Sequence, residues 1–287
     1  MQKFIFIFML LFMSCQKEIK LPPTQIPQKV VVNCLFSPAQ NWKVYVSLST
    51  NPNDAEPPIV ENALVKVFEN GQYLETLSYV EKGKYVGNKH PFEGNTYNIE
   101  VSVPNFESVT ATDSIPEAVK IKDAFFTARK VLDVTGAPML QQNIIFQDPP
   151  TKTNFYEITG ALDYYFVTDI WGVFYPFKQF GAYAFSDEAL AGQSVTFVTT
   201  ESFTENPGIP DSLYGSKKIF LHSLSPTHYK FLKTGHIQMA NNFSGAIETW
   251  TSILSVTEPQ NIYSNIQGGL GIFAAYNSDT MVTRYIK

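Results

Sequence analysis

The residues with the most specific chemistry in this sequence are its two cysteines, Cys15 and Cys34. A thiol can form a disulfide, bind a metal, act as a nucleophile or be acylated, and its surroundings decide among these. Cys15 follows an uncharged apolar run, "FIFIFMLLFM" at residues 4–13, which Lys3 precedes. Such a run is too short to span a bilayer, which needs roughly 20 residues, and is typical of a secretory signal peptide. We expect residues 1–14 to be that signal.

The order of apolar core, small residue and cysteine resembles a bacterial lipobox, in which the thiol is acylated and the chain is cut just before it. Phe12 and Met13 stand where Leu and a small residue are usual. Two or more acyl chains anchor a protein stably, at about 0.8 kcal/mol per buried methylene. We therefore predict that Cys15 is lipidated. The alternatives are a plain signal peptide cut elsewhere and a short buried strand.

Residues 15–27 are predicted to be the lipidated cysteine and a flexible tether. The stretch after Cys15 is polar, contains three prolines and lacks a core pattern, as is typical of an extended linker. Its start, "QKE", resembles the short Lys-plus-acid export signals of Bacteroidetes surface lipoproteins, with Ile19 in place of a second acid. This favours a lipid-anchored position on the outer membrane, exposed at the cell surface.

With Cys15 acylated, Cys34 has no cysteine partner. In "VVVNCLFS" it lies an even number of residues from Val30, Val32 and Phe36. In a strand these four side chains would share one face, and the apolar neighbours indicate that this face is buried. We predict a buried free thiol, since a lone cysteine usually behaves as a small hydrophobe.

Composition narrows the class of protein further. Charged residues make up 16% of the chain and the net charge is −5, which argues against a nucleic-acid-binding protein because those carry basic patches. No second apolar run has the length of a membrane span. The length fits two domains of ordinary size.

Residues 28–116 alternate between apolar and polar with a period of two. Val44 and Val46 share one face of a strand, as do Tyr97 and Ile99, and Asn70-Gly71 joins two further runs as the strongest short hairpin signal. The pattern predicts a sandwich of about seven strands. Its motifs follow the order A-x-V-x-V-x-x-N-G, then G-x-Y, then G-x-x-Y-x-I-x-V. This order looks like that of the prealbumin-like domains of carboxypeptidases and surface receptors, so we expect an immunoglobulin- or prealbumin-like β-sandwich.

Residues 117–287 are predicted to form a β-rich C-terminal domain with one clear helix, so the whole chain is mostly β. The helix is "SPTHYKFLKTG". Ser225 can cap it, Pro226 suits its first position, and Gly235 is expected to end it. Pro116 marks the boundary between the two domains.

The segment "EPQNIYSNIQGGLGIFAAYNS" at residues 258–278 resembles the C-terminal block of a Bacteroidetes outer-membrane lipoprotein family, domain of unknown function 4249 (DUF4249). The preceding "NNFSGAIETW" also fits, although the family more often has Asn-Pro-Phe there. The resemblance extends over nearly all of the mature chain. It implies an outer-membrane lipoprotein, often encoded near TonB-dependent transporters, and it supplies no catalytic residues.

No motif in the sequence predicts catalysis. "GLGIFA" at 269–274 fits G-x-G-x-x-A, but too little chain follows for a dinucleotide-binding unit, so its glycines are expected to permit a bulge, a turn or a close approach of strands. His228 and His236 are expected to flank the helix end. The carboxylates that can pair in space are expected to be solvated, namely Asp163, Asp169, Asp187 and Glu188. We therefore predict no catalytic residue, no metal site and no cofactor.

An aromatic segment at residues 164–185 is the strongest compositional anomaly. Ten of its 22 residues are Phe, Tyr or Trp, and Gly172, Pro176 and Gly181 prevent it from forming one long strand. A pair of buried strands with a turn is one explanation. The other is an exposed loop that contacts a partner, because aromatic residues concentrate at interfaces. The predicted contact residues are Trp171, Phe174, Tyr175 and Phe177.

These features favour a surface-tethered outer-membrane lipoprotein that binds rather than catalyses. It is expected to be an accessory or ligand-capture partner of a TonB-dependent nutrient transporter. A structural or adhesive surface protein that binds glycans or other cells is the alternative, and a hydrolase is the third possibility.

Overall fold

The computed structural model describes residues 27–50, 56–132, 138–150, 152–162, 180–188, 192–202, 217–243 and 261–286. These residues are mostly β, which confirms the predicted fold class, and they contain one helix, α1 at Pro226–Phe243. None of their helices is both long and apolar enough to cross a bilayer. The strands are β1 Val30–Phe36, β2 Lys43–Leu48, β3 Leu64–Glu69, β4 Gln72–Glu81, β5 Lys84–Val86, β6 Thr96–Ser102, β7 Val109–Ser114, β8 Ile121–Leu132, β9 Pro138–Gln147, β10 Phe155–Leu162, β11 Phe180–Ser186, β12 Ser194–Ser202, β13 Lys217–Leu224, β14 Leu270–Val282 and β15 Arg284–Ile286.

Two sheets contain all of these strands. The larger sheet has eleven strands in the order β11-β10-β13-β14-β1-β2-β5-β4-β3-β6-β7, and the smaller one has the order β12-β9-β8-β15. The large sheet folds so that β3, β6 and β7 pack over β1, β2 and β14 around one core. The small sheet packs over β10 and β13 around a second core.

The first core confirms the predicted alternation. Val30, Val32, Cys34 and Phe36 are all at most 2% exposed, so every second residue of β1 faces inward. Asn70 has a positive φ of 49° and Gly71 one of 80°, which are the signs that a tight two-residue hairpin between β3 and β4 requires. Seven strands of this sandwich come from residues 30–114, as the sequence predicts.

An eighth strand of the first core comes from the C-terminal end of the chain. Phe273 and Ala275 of β14 and the preceding Ile266 are buried in this core. Phe273 stacks on Phe36 with ring centroids 4.5 Å apart. Residues far beyond Pro116 therefore complete the sandwich that begins at residue 30.

β14 pairs with β1 in parallel, and Val32 lies opposite Gly271. Gly271 has a φ of +105°, and a Cβ built there would lie 2.1 Å from the Val32 carbonyl oxygen. Only glycine has both the conformation and the space for this contact. The prediction that the glycines of "GLGIFA" permit a close approach of strands is thus confirmed at Gly271.

Helix α1 begins as predicted but ends later. The Ser225 hydroxyl accepts a hydrogen bond from the His228 N–H at 3.0 Å, which is the geometry of an N-cap. The prediction that Gly235 ends the helix is wrong, because α1 continues to Phe243. Glycine inside a helix costs only about 1 kcal/mol relative to alanine, which packing against the sheet can offset.

A buried carboxylate links the elements around the two cores. Asp113 at the end of β7 accepts hydrogen bonds from the Ser225 hydroxyl at 2.5 Å and from the Ala275 N–H at 2.8 Å. Burial raises the pKa of Asp113, and these donors oppose that rise. One side chain therefore ties β7, the start of α1 and β14 together.

We expect Gly271→Ala to destabilise the protein by about 3 kcal/mol or more, because the new methyl group meets backbone at a strained φ. Gly235→Ala is the matched control. No atom lies within 4 Å of its added Cβ, and it should stabilise the helix by up to about 1 kcal/mol. Urea unfolding of both variants checks this, and an unchanged midpoint for Gly271→Ala would contradict the close approach.

Cys34 should be unreactive in the native protein. It is 2% exposed and unpaired, and burial raises the pKa of its thiol. In the full chain carrying Cys15→Ser, a thiol reagent should label nothing in buffer and one group per chain in guanidinium. Rapid labelling in buffer would place Cys34 on the wrong face.

Candidate functional site

The predicted contact residues Trp171, Phe174, Tyr175 and Phe177 and the predicted lipidation site Cys15 lie outside the described residues. Of the aromatic segment 164–185, the structure describes residues 180–185, which lie in β11, with Phe185 half-buried against the second core. β10 ends at Leu162, and β11 begins at Phe180 and pairs with β10 in antiparallel fashion. Residues 163–179 therefore connect two neighbouring strands at one end of the large sheet.

Other strands end at the same place, which we call the loop end. Leu162 pairs with Lys217 at the start of β13, and Lys218 pairs with Val282 at the end of β14. Residues 203–216 lead into this start of β13 from β12. The described strand ends that flank these stretches, Leu162, Phe180 and Lys217, thus lie together at the loop end.

The direction of β14 places the loop end far from the start of the described chain. β14 begins beside β1, where Leu270 lies opposite Val31, and then runs parallel to it. From Leu270 to Val282 the strand extends roughly 40 Å, at about 3.3 Å per residue. The tether predicted at residues 15–27 enters β1 at the opposite end of this strand.

A polar cluster lies on the outer face of the large sheet, between the loop end and α1. The strand register places Glu157 of β10 and Ser278 of β14 on either side of His222 of β13. Antiparallel partners point to the same face, so these three side chains form one row. This cluster could not be predicted from the sequence, because its members are far apart in the chain and only the order of the strands brings them together.

His222 lies between two hydroxyl groups. Its Nδ1 is 2.6 Å from the Ser278 hydroxyl and its Nε2 is 3.1 Å from the Thr159 hydroxyl. Burial lowers the pKa of His222 to about 4, so the ring is neutral at pH 7. A neutral ring has one donor and one acceptor nitrogen, and one hydroxyl therefore donates to it while the other accepts.

The contact between Ser278 and His222 has the separation of a nucleophile and its base, but the rest of a catalytic triad differs. The other ring nitrogen of a catalytic histidine normally donates to a carboxylate, which stabilises the imidazolium that forms. Thr159 occupies that place here. Burial raises the pKa of Glu157, and no described residue donates a hydrogen bond to it. The arrangement makes His222 a weak base and suits it to fixing the strands.

His228 also differs from the sequence-based expectation. The helix bounds place it in the first turn of α1 and His236 in the interior, so neither flanks the helix end. His228 is 3% exposed, and its ring packs edge-on against Tyr276 with centroids 5.6 Å apart. The pKa of His228 is lowered to about 4, chiefly by burial; a hydrogen bond with the Ala275 backbone opposes this lowering, and the nearby His222 adds to it.

Asp187 is buried rather than solvated, which corrects the expectation for that carboxylate. It is 1% exposed and accepts hydrogen bonds from the backbone and side-chain amides of Asn154 at 2.9 and 3.0 Å. Asp148, which is fully buried, accepts from the Tyr156 hydroxyl and the Gly192 N–H. These bonds hold the strand ends opposite the loop end. Glu188 is exposed, as expected, and Asp163 and Asp169 lie outside the described residues.

Among the residues that the structure describes, no three His, Cys, Asp or Glu side chains come together as a metal site would require. The two buried carboxylates Asp148 and Asp187 share Asn154 as their hydrogen-bond donor. Their role in this geometry is to satisfy the backbone amides of the turns that they hold.

The half-buried His222 and the buried His228 should make stability depend on pH. Their pKa is 6.5 in the unfolded reference and about 4 in the folded protein, so the unfolded chain binds more protons between these values. The free energy of unfolding should therefore fall as the pH drops from 6.5 towards 4. His222→Gln should flatten this dependence, whereas His90→Gln, at an exposed position, should not. Equal slopes for both variants in thermal melts would contradict the burial of His222.

Comparison with known proteins identifies a family but no activity. The sequence matches a family described as a domain of unknown function (DUF4249) over residues 16–281. No curated protein matches it. Since the family match covers far more than half of the chain, the protein belongs to the DUF4249 family.

Proposed function

We propose that the protein is a surface-tethered outer-membrane lipoprotein that acts as a non-catalytic accessory of a TonB-dependent nutrient transporter. In this function the loop end captures a ligand or contacts the transporter. The observation that carries the proposal is the position of Leu162 and Phe180, the described residues that flank 163–179. They lie where β10 ends and β11 begins, at the end of the large sheet away from residue 27.

The first support is geometric. A lipid on Cys15 and a short extended tether would hold the start of β1 near the membrane. β14 leads away from that point over roughly 40 Å, so a tethered molecule can present residues 163–179 to a partner rather than to its own anchor.

The second support is compositional. Loops longer than about 12–15 residues are uncommon in compact domains and are usually functional when they occur. The stretch of chain between β10 and β11, residues 163–179, exceeds this length and includes Trp171, Phe174, Tyr175 and Phe177. Tyr, Trp and Phe bury a large area at a small cost in conformational entropy, which is why they dominate the energetics of interfaces.

A hydrolase is the second candidate, because the Ser278 hydroxyl lies 2.6 Å from His222. The lowered pKa of His222 and the threonine at its other nitrogen weaken this candidate, since a general base works best with a pKa near the ambient pH. Loss of a hydrolytic activity in Ser278→Ala, with unchanged stability, would favour the hydrolase over the accessory function.

The anchor is tested by Cys15→Ser. Without the thiol there is no acylation, and the protein should either remain uncut or appear in the soluble fraction of the periplasm. Membrane fractionation and mass spectrometry of the N-terminus check this outcome. If the variant fractionates with the outer membrane as the unaltered protein does, the chain is not held there by a lipid on Cys15.

The contact is tested by Trp171→Ala and Phe174→Ala. Each should weaken co-purification with an outer-membrane barrel from detergent-solubilised membranes, by about 2 kcal/mol or more, without changing the melting temperature. Phe92→Ala is the matched control, because Phe92 is 56% exposed in the N-terminal sandwich, far along the chain from this segment.

A different result would reassign the aromatic segment. If it belongs to a core, the same two substitutions create cavities and cost about 3–5 kcal/mol of stability. A large drop in melting temperature for both, with the control unchanged, would end the assignment of the binding surface to residues 163–179.

A further inference from the structure

Within the part of the chain that the structure describes, β12 is an edge strand without the features that normally prevent edge pairing. It is the outermost strand of the small sheet, and within the described ranges it pairs with β9 alone. Natural proteins block such edges with Lys, Pro, bulges or a covering segment. The sequence of β12, "SVTFVTTES", contains no Lys or Pro, and its register with β9 runs without a bulge.

The large sheet has an outer strand that the chain itself covers. β7 is the outermost strand of the large sheet. Thr110 of β7 and Gln267 exchange two backbone hydrogen bonds, at 3.3 and 2.8 Å, so the segment before β14 covers that edge. β12 lacks such a cover among the described residues, and Val198 at its centre is 48% exposed.

The hydrogen-bond pattern identifies the backbone groups on the free side of β12. The Asp148 N–H donates to the Gln193 carbonyl oxygen at 3.0 Å, so Gln193 faces β9. Bonding sides alternate along an antiparallel strand. The residues whose N–H and C=O point away from β9 are therefore Ser194, Thr196, Val198, Thr200 and Ser202.

These five residues read the same in both directions about Val198: Ser, Thr, Val, Thr, Ser. We propose that β12 pairs in antiparallel fashion with β12 of a second copy of this chain, with Val198 opposite its own counterpart. Thr196 then lies opposite Thr200, and Ser194 opposite Ser202. Each free N–H and C=O finds a partner on the same row, with about ten new hydrogen bonds in all.

The charges on β12 agree with this register. Glu201 is its only charged residue, and in the proposed pairing it lies opposite Val195 rather than opposite a second Glu201. Like charges directly opposite each other destabilise a sheet, whereas paired threonines stabilise it. The self-complementary order of residues is what selects a second copy, because a strand of another protein would not require it.

The pairing reverses one copy relative to the other. The Ile121 N–H bonds the Asp279 carboxylate at 2.9 Å, and Phe125 lies opposite Arg284, so β8 runs in the same direction as β14. β9 is antiparallel to β8, and β12 is antiparallel to β9. β12 therefore runs in the same direction as β14, from the end where β1 begins towards the loop end. The two copies in the dimer therefore start at opposite ends. This goes beyond the proposed function, because it suits copies tethered to two facing surfaces.

Disulfide trapping tests the register in the full chain carrying Cys15→Ser, where the remaining native thiol, Cys34, is buried. Val198→Cys places two thiols on the dimer axis and should give a covalent dimer on mild oxidation. Thr196→Cys is the matched control and should give at least tenfold less, because its counterpart is Thr200. Adding Thr200→Cys to that control should restore the dimer.

Light scattering with size-exclusion chromatography supplies the second measurement. The protein with Val198 should be dimeric at about 100 μM, and Val198→Pro should be monomeric, because proline removes an N–H that β9 does not use. Val198→Thr should remain dimeric. A monomeric parent protein, or cross-linking of Thr196→Cys equal to that of Val198→Cys, would overturn the proposal.

Discussion

The parallel pairing of β1 with β14 is the constraint on which the rest of the structure depends. It joins residues 31–36 to residues 270–275, and it requires a backbone contact that a side chain at Gly271 would block. The first sandwich cannot close its core without Phe273 and Ala275 from β14. Because so much chain separates the two strands, this pairing has a high loop-closure cost, and it should form late in folding.

Once β14 is in place, it serves both cores. Its first half faces the N-terminal sandwich, and Met281 near its end packs against the second core. Asp113 holds β14 where it passes from the first core to the second, because its carboxylate accepts hydrogen bonds from the Ala275 N–H and from the Ser225 hydroxyl that caps α1. Removing that carboxylate would leave buried donors without acceptors, which costs more than the net value of the hydrogen bonds themselves. The direction of β14 also decides where the loop end lies.

Local patterns in the sequence predicted the features that depend on local physics. The alternation of apolar and polar residues predicted which face of β1 is buried. Asn70-Gly71 predicted the hairpin between β3 and β4, and Ser225 predicted the start of α1. The partner of β14 could not be predicted, because a parallel pair between distant segments leaves no local pattern. The row of Glu157, His222 and Ser278 depends on strand order in the same way. The prediction that the helix ends at Gly235 was wrong, because packing of α1 on the sheet overrides the low helix propensity of glycine. The binding role of residues 163–179 stays a prediction.

β14 runs from beside the start of β1 to the loop end, and a distance measurement tests this arrangement most directly. Spin labels at Lys29 and Val282, both exposed, should be introduced into the full chain carrying Cys15→Ser. With the labelled chain diluted in excess unlabelled chain, double electron–electron resonance should then give a single narrow distribution near 40 Å, at about 3.3 Å per residue of strand. A broad distribution, or a distance below about 25 Å, would mean that β14 does not run from the start of β1 to the loop end.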